Sequence, residues 1–276
     1  MIQSEKPPTN PIYEECTLSV GQLLQHYRKS QHFSQLALAT EAEISSRHIS
    51  FIETGRSQPS RQVLLTLANA MDLAHRDVNL LMRTAGYSAM YQHRGLDDPQ
   101  MKPVSDALNM MLENHLPYPS VVIDKDWNIL MMNASYQQLL SSFPMQLNDN
   151  TNANNVLELL FSPNGLRSVI ANWDEVASHL LRVRAREEAL NINQGDSLLK
   201  RLLAYPNIPD WKKINDAEIE KPMLSLQLNL GQVTLNLFST ITTFGTAADI
   251  TLQELRIESY FPADEQTKDF FTANSA

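Results

Sequence analysis

The sequence predicts two domains, an all-α domain of five short helices followed by an α+β domain built on a five-stranded antiparallel sheet. Three observations predict this multi-domain class. The chain has 276 residues, enough for two domains at about 150 residues each. Residues 17–87 show helical apolar spacing with very short connections. The remainder has two strand-like segments, then helices, then three strand-like segments, which is the order of a small α+β domain.

The composition is that of an ordinary globular protein, with 43% hydrophobic and 19% charged residues and a formal net charge of −9. The charge is unevenly distributed. Residues 1–96 carry nine Lys/Arg and eight Asp/Glu, and residues 97–276 carry thirteen and twenty-three, so the two parts bear +1 and −10. Any affinity of the first part for phosphate must therefore rest on a few placed cations and on helix N-termini.

Cysteine usage and the N-terminus indicate a cytoplasmic protein. The single cysteine, Cys16, excludes an intramolecular disulfide and a cysteine zinc cluster. Residues 1–16 read as a polar, proline-rich arm without the apolar stretch of a signal peptide. No run approaches the roughly 18 apolar residues of a membrane span, so we expect no membrane partner.

Short polar residues mark the helix boundaries of residues 17–87. Ser34 and Ser45 are placed to cap the second and third helices, and Ser60 follows Pro59 at the start of the fourth. Gly55 follows the third helix, where a left-handed C-terminal residue is favoured. A fifth helix is predicted over about 75–85, ending near Gly86.

The third helix presents a polar face. With Ile49 at the centre of its buried face, helical spacing places Ile52 and Glu53 beside the core and the opposite face outward. Two short helices joined by a tight turn can place the second in the major groove of DNA. We therefore expect DNA contacts from Gln35, Ser45, Ser46, Arg47, Ser50, Phe51, Thr54 and Arg56.

Individual roles follow from side-chain chemistry. A bidentate contact from Arg47 to guanine would supply about 1–3 kcal/mol of discrimination. Phe51, on a face expected to be exposed, suits a thymine methyl group. Gln35 and Arg56 are placed to hold phosphates. The alternative is that these helices form only a docking bundle.

The run from Phe33 to Pro59 resembles the Cro/repressor-type (XRE) helix-turn-helix family, of lambda-repressor-like fold, over about residues 19–86. The matching positions are Leu38-Ala39, Ile49, Ile52-Glu53-x-Gly55-Arg56 and Pro59-Ser60. The resemblance implies sequence-specific DNA binding in transcription regulation.

Two further expectations accompany this resemblance. It implies an ion pair between Arg28 of the first helix and Glu53 of the third, where an unpaired carboxylate beside the core would be costly. The family usually has glycine in the turn before the third helix, and this chain has Glu43. A positive φ at a non-glycine residue costs roughly 1 kcal/mol, so the pose of the third helix could differ from the family's.

Residues 88–104 read as a linker, and the second domain follows over 105–272. Asn229-Leu-Gly231 is a hairpin signal between two of its strands. The predicted strands are 120–124, 127–132, 223–230, 232–242 and 250–261. The predicted helices are 104–114, 133–142, 154–161, 165–191 with breaks, 196–204 and 263–272.

Five sequence blocks stand out in this domain. They begin Pro117-Tyr-Pro-Ser-Val, Asn155-Val-Leu-Glu-Leu, Asn172-Trp-Asp-Glu-Val, Leu237-Phe-Ser-Thr-Ile and Ile257-Glu-Ser-Tyr-Phe. In their order and spacing these blocks resemble the MmyB-like ligand-binding domain over about 105–272. The resemblance implies a PAS-like fold joined to an XRE helix-turn-helix and, in some members, a fatty-acid-type ligand in an apolar cavity.

A cavity of this kind would be mostly apolar with a few polar anchors. Arg167, His179 or Arg182 could meet a carboxylate head group. The simpler alternative is that the apolar candidates are domain core and the arginines a solvated helix face. The candidate ligand-contacting residues are Phe161, Arg167, Ile170, Trp173, His179, Leu180, Arg182, Phe238 and Phe244.

These features predict a dimeric, ligand-responsive DNA-binding regulator rather than an enzyme. A homodimer would read a pseudo-palindromic operator with half-sites about one helical turn apart. The seven histidines lack metal-ligand spacing and no glycine-rich phosphate loop exists, so we expect no metal and no cofactor beyond a bound fatty acid or similar apolar molecule. Two alternatives stay open for the second domain: a dimerisation or docking module without ligand, and a PAS domain holding haem or flavin.

Overall fold

The computed structural model describes residues 18–143, 145–147, 151–189, 197–213, 223–231 and 233–273. The predicted N-terminal arm, residues 1–16 with Cys16, lies outside the described residues. The chain divides into two compact units between Tyr91 and Gln92.

The first unit contains the five predicted α-helices. Four of them follow a serine whose hydroxyl accepts a hydrogen bond from the third residue of the helix, satisfying a backbone N–H that has no partner within the helix. The capping residues are Ser19, Ser34, Ser45 and Ser60. The helices are α1 (Val20–Ser30), α2 (Gln35–Glu41), α3 (Ser46–Glu53), α4 (Arg61–Ala70) and α5 (His75–Thr84).

Each of these helices ends at a residue with left-handed backbone conformation. Gly55 and Gly86 take this position after α3 and α5, whereas His32, Glu43 and Asp72 take it after α1, α2 and α4. The next backbone amide in each case donates to a carbonyl five residues earlier, which is the Schellman arrangement. The turns between helices are therefore tight and hydrogen-bonded.

All five helices contribute to one apolar core, which includes the fully buried Leu24, Leu38, Ile49, Leu64 and Leu81. The approach of α1 to α3 is especially close. A Cβ at Gly21 would lie 2.4 Å from the carbonyl oxygen of Ile52, so only glycine fits there.

The start of the predicted linker is attached to the first unit. The ring of Tyr91 stacks on His75 of α5 with centroids 3.7 Å apart. The side chain of Asn79, which is 1% exposed, donates to the carbonyl of Tyr91 and accepts from the amides of Met90 and Tyr91.

The rest of the predicted linker belongs to the second unit. Arg94 Nη1 lies 2.8 Å from Asp249 Oδ2, and the amide of Ile250 donates to the carbonyl of Gln92. A 3₁₀ turn at Pro99–Met101 leads directly into a helix. The glycine and the prolines of 88–104 therefore lie in turns and at the start of a helix, and not in an unstructured linker.

The second unit has the predicted α+β fold, with one antiparallel sheet in the order β2-β1-β5-β4-β3. Its strands are β1 (Ser120–Ile123), β2 (Ile129–Met132), β3 (Leu226–Asn229), β4 (Thr234–Thr242) and β5 (Arg256–Pro262). Its α-helices are α6 (Lys102–Asn114), α7 (Ala134–Ser141), α8 (Val156–Phe161), α9 (Trp173–Ala189), α10 (Leu198–Leu203), α11 (Ile250–Glu254) and α12 (Glu265–Ala273), with a 3₁₀ turn at Leu166–Val169.

The last predicted strand, 250–261, is wrong over its first part. The structure places the helix α11 there, capped by Asp249, whose side chain accepts from the amide of Thr251. β5 begins only at Arg256. A single helical turn is too short for its periodicity to be distinguished from that of a strand.

The sheet separates two apolar layers. On its outer face, Ile257 packs with Leu108 and Leu112 of α6. On its inner face, Val121 and Leu237 join a larger core formed with α7, α8, α9, α10 and α12. We call these the outer layer and the inner layer.

Candidate functional site

Arg28 and Glu53 form the predicted ion pair inside the first unit. Arg28 Nε lies 2.6 Å from Glu53 Oε1 and Nη2 lies 3.0 Å from Oε2. The remaining guanidinium nitrogen donates to the carbonyl of Phe33 at 2.8 Å. Both charged residues are buried. This two-pronged contact joins α1 to α3 and so fixes the orientation of α3.

Two glutamines complete the surroundings of Glu53. Gln35 Nε2 donates to Oε2 at 2.8 Å and Gln25 Nε2 at 3.4 Å. Burial raises the pKa of Glu53, but the hydrogen bonds and the charge of Arg28 outweigh burial, and the net pKa is lowered. The Gln35 amide therefore also positions Glu53, while its predicted contact with a phosphate stays a prediction.

The predicted polar face of α3 lies at the surface. Ser45 caps the helix, Arg47 and Thr54 are exposed, and Ser46 and Ser50 are partly exposed. The Thr54 hydroxyl donates to the carbonyl of Ser50 at 2.7 Å. The first turns of α3 thus offer hydroxyl groups and one guanidinium to solvent.

Phe51 differs from the expectation of a freely exposed ring. It is half-buried, with the Arg47 guanidinium carbon 5.2 Å and that of Arg56 6.0 Å from the ring centroid. Cation–π contacts of this kind hold flexible cations in place. Phe51 is therefore a platform that brings both arginines to one side of α3.

Glu43 keeps the left-handed conformation that the family usually gives to glycine. Its φ is +53°, and the following amide, of Ile44, donates to the carbonyl of Ala39. The turn between α2 and α3 is thus preserved with a strained residue.

In the second unit, four of the predicted ligand-contacting residues belong to the inner layer. Phe161 and Ile170 are buried in it, and Trp173 and Leu180 pack against it. The rings of Phe161 and Trp173 meet edge to face with centroids 5.0 Å apart.

Two of the three predicted head-group residues, Arg167 and Arg182, are bound to backbone carbonyls of this chain. Arg167 donates to the carbonyls of Pro206 and Asn207 and lies over the Trp173 ring. Arg182 donates to the carbonyls of Trp211 and Lys213. Both guanidinium groups therefore fasten the 206–213 segment, whose orphan carbonyls need donors.

His179 and the two remaining aromatic residues also lie away from the inner layer. The side chain of His179 is exposed. Phe238 stacks on Phe261 at 5.4 Å, in register positions that face away from the inner layer, and Phe244 packs with the outer layer. The expectation that Phe238 and Phe244 line an inner cavity is wrong: strand register places Phe238 on the outer face of the sheet, and Phe244, which follows β4, packs with the outer layer.

The inner layer contains a polar group that sequence reasoning missed. Glu258 lies opposite Val121 and Ile241 in the sheet, two residues from the inward-facing Tyr260. It is 7% exposed. Burial raises its pKa, and the Ser239 and Tyr260 hydroxyls, which lower it, do not compensate. Strand alternation with an apolar Ile257 and an inward Tyr260 was the signal that could have found it.

The second unit also has a groove of about 510 Å³. None of the predicted ligand-contacting residues lines it. Its walls are Leu116, Pro117, Ala134, Ser135, Gln138, Leu139, Ser142, Phe270, Phe271 and Thr272.

Within the part of the chain that the structure describes, no cluster of His, Cys, Asp or Glu has the arrangement of a metal site. Among the same residues, no helix combines the length and apolarity needed to cross a bilayer.

Comparison with protein families gives two matches. Residues 104–273 match the model of the MmyB-like transcription regulator ligand binding domain, and residues 24–78 match a helix-turn-helix model. No curated protein matches the chain.

Two solved structures have a distant likeness to the chain. The PAS domain of Bordetella pertussis BvgS is 15% identical with a TM-score of 0.27, over 62% of this chain and 96% of that one. An RNA-binding light-oxygen-voltage receptor is 10% identical with a TM-score of 0.25, over 94% of this chain and 63% of that one.

Proposed function

Since the chain belongs to the family of MmyB-like transcription regulators, with a helix-turn-helix ahead of the ligand-binding domain, we propose that it is a sequence-specific DNA-binding regulator that responds to an apolar small molecule. α3 is the recognition helix. It acts as part of a homodimer on a pseudo-palindromic operator, because two-fold symmetry presents two such helices about one helical turn apart.

The observation that carries this proposal is the Arg47–Phe51–Arg56 arrangement on the outer face of α3. Two cations share one aromatic platform, while the Arg28–Glu53 pair holds the inner face. A preorganised guanidinium at the first turns of a recognition helix is suited to guanine. Because the first part of the chain carries little net charge, affinity must rest on such placed contacts.

The substitution Arg47→Ala tests whether Arg47 contacts a base of the operator. Selection of bound genomic DNA with the purified protein first supplies the cognate site. Arg47→Ala should then weaken cognate binding by about 1–3 kcal/mol while changing binding to random DNA much less. Lys29→Ala, which removes the same charge from the exposed end of α1, is the matched control. Equal losses on both DNAs would show that Arg47 contacts only phosphate.

We propose that the ligand is an aliphatic, fatty-acid-type molecule and that it binds in the inner layer. It is supported by the family of the second unit and by the apolar inner face with Phe161, Ile170 and Trp173. Such a molecule regulates only if it binds the DNA-competent and incompetent arrangements with different affinity. Mass spectrometry of small molecules released from the purified protein is the test. Release of nothing, together with no effect of aliphatic molecules on operator binding, would favour a docking module.

A further inference from the structure

Glu258 is buried at the centre of the sheet's inner face without a countercharge among the described residues. β5 is the middle strand, and Glu258 faces the inner layer between Val121 and Ile241. Arg256, two residues earlier on the same face of the strand, pairs with Glu187 of α9. Burying an unpaired carboxylate is costly, so an acid in this position is favoured in its neutral form.

The carboxyl group is only partly satisfied. The Ser239 and Tyr260 hydroxyls interact with it, and Tyr136 of α7 lies near, its ring 6.0 Å from that of Tyr260. Yet Oε2 is buried and has no hydrogen-bond partner among the described residues. A buried polar atom left without a partner costs about 1–3 kcal/mol, and in a ligand-binding domain a ligand atom can supply that partner.

The sheet is open beside this group. Ser239 and Ile241 follow Leu235 and Leu237 on the inner face of β4, but they are exposed whereas those leucines are fully buried. Ile241, directly opposite Glu258, is 50% exposed. The described helices therefore cover the first half of β4 and leave the second half accessible next to the acid.

We propose that Glu258 is the polar anchor of the sensor site, and that its neutral carboxyl donates a hydrogen bond from Oε2 to a carbonyl-type oxygen of an aliphatic ligand. This inference rests on the proposed ligand-sensing function and names the chemistry at one end of the ligand. An apolar site that keeps a carboxylic acid neutral turns it into a donor. The arginines expected to bind a head group are occupied elsewhere, which leaves this role to Glu258.

The test compares two substitutions with three probes of equal chain length: methyl dodecanoate, dodecanoic acid and dodecylamine. Titration calorimetry on the full chain should show that the ester and the acid bind the wild type. Glu258→Gln, whose amide keeps a neutral donor, should retain their affinity within about threefold. Glu258→Met, which has no donor, should weaken it roughly tenfold or more.

Any one of three results would contradict the proposed role of Glu258 as a hydrogen-bond donor to the ligand. Glu258→Met could bind the ester as well as the wild type does; Glu258→Gln could lose as much affinity as Glu258→Met; or dodecylamine could bind tightest and depend on Glu258 as an anion. In each of these the wild type still binds a ligand, so the sensor function stands. Failure of all three probes on the wild type contradicts the sensor function, and the anchor with it.

Infrared difference spectroscopy keeps the proposal falsifiable if Glu258→Met does not fold. The wild type should show the C=O stretch of a protonated carboxylic acid that is missing in Glu258→Gln and shifts when methyl dodecanoate binds. Absence of a band that depends on residue 258 would overturn the proposal.

Discussion

Glu53 is a charged side chain whose pKa is lowered although it lies beside a hydrophobic core. Burial disfavours its charge, but Arg28 contacts both carboxylate oxygens and Gln35 and Gln25 donate to one of them. The charged form is therefore the one that the surroundings favour. The same residues tie α1 and α2 to α3, so the ion pair is part of the framework that presents Arg47.

Removal of either partner of this pair should be strongly destabilising. Arg28→Met or Glu53→Leu leaves one buried charge uncompensated, and we expect a loss of about 3–5 kcal/mol for each. The double variant should lose less than the sum of the two, because no isolated charge remains. Urea unfolding of the four proteins measures this coupling, and strictly additive losses would contradict it.

Acid should weaken the first unit through the same residue. The lowered pKa of Glu53 means that its contribution to stability is present above the ordinary value of 4.5 and is lost as pH falls through the folded-state value. Glu53→Gln should be less stable than the wild type at neutral pH, and this difference should shrink on acidification. Urea midpoints of both proteins across that range test this; a constant difference would refute it.

At the scale of the element, the turn between α2 and α3 shows how a helix end tolerates an unfavourable residue. Glu43 holds φ at +53°, while the Schellman hydrogen bond and the burial of Ala39 and Ala42 around it fix the backbone. These surrounding contacts hold Glu43 in a backbone conformation that is unfavourable for a residue with a side chain.

Glu43→Gly should therefore stabilise the protein by up to about 1 kcal/mol. Glu43→Ala removes the charge but keeps the Cβ, so it should give no such gain. Thermal unfolding distinguishes the two substitutions. If alanine stabilised as much as glycine, the side-chain charge rather than the backbone conformation would be the cause.

At the scale of the whole molecule, the division between the two units, at Tyr91–Gln92, falls within the predicted linker of residues 88–104. Tyr91 and Met90 are bound to His75 and Asn79 of α5, whereas Arg94 is bound to Asp249. The turn-forming residues of 88–104 are thus divided between the two units.

This division predicts the stability of isolated fragments. A fragment of residues 18–91 should unfold cooperatively, because its apolar core lies entirely within it. A fragment of 18–87 loses the partners of Asn79 and the ring of Tyr91, and it should be less stable by about 1–3 kcal/mol. A fragment of 18–95 should gain nothing over 18–91. Urea unfolding followed by circular dichroism decides this, and equal midpoints for 18–87 and 18–91 would place the boundary earlier.

The sequence by itself determined the features that depend on neighbours along the chain. Serine caps, Gly55, the apolar spacing of α3 and the order of helices and strands are local, and they sufficed for the five helices, the five-stranded sheet and the polar face with Arg47. The Arg28–Glu53 pair came from a family resemblance, because its partners are far apart in sequence.

Only the tertiary structure decided what depends on register and packing. Phe238 lies on the outer face because of strand pairing, and Arg167 and Arg182 hold backbone carbonyls of residues 206–213. Phe244 packs with the outer layer. All of these contacts join residues that are distant in sequence. Strand alternation gives the face of the sheet on which Glu258 lies, but whether its carboxyl group is solvated or buried depends on which elements cover that face, and those elements are distant in sequence.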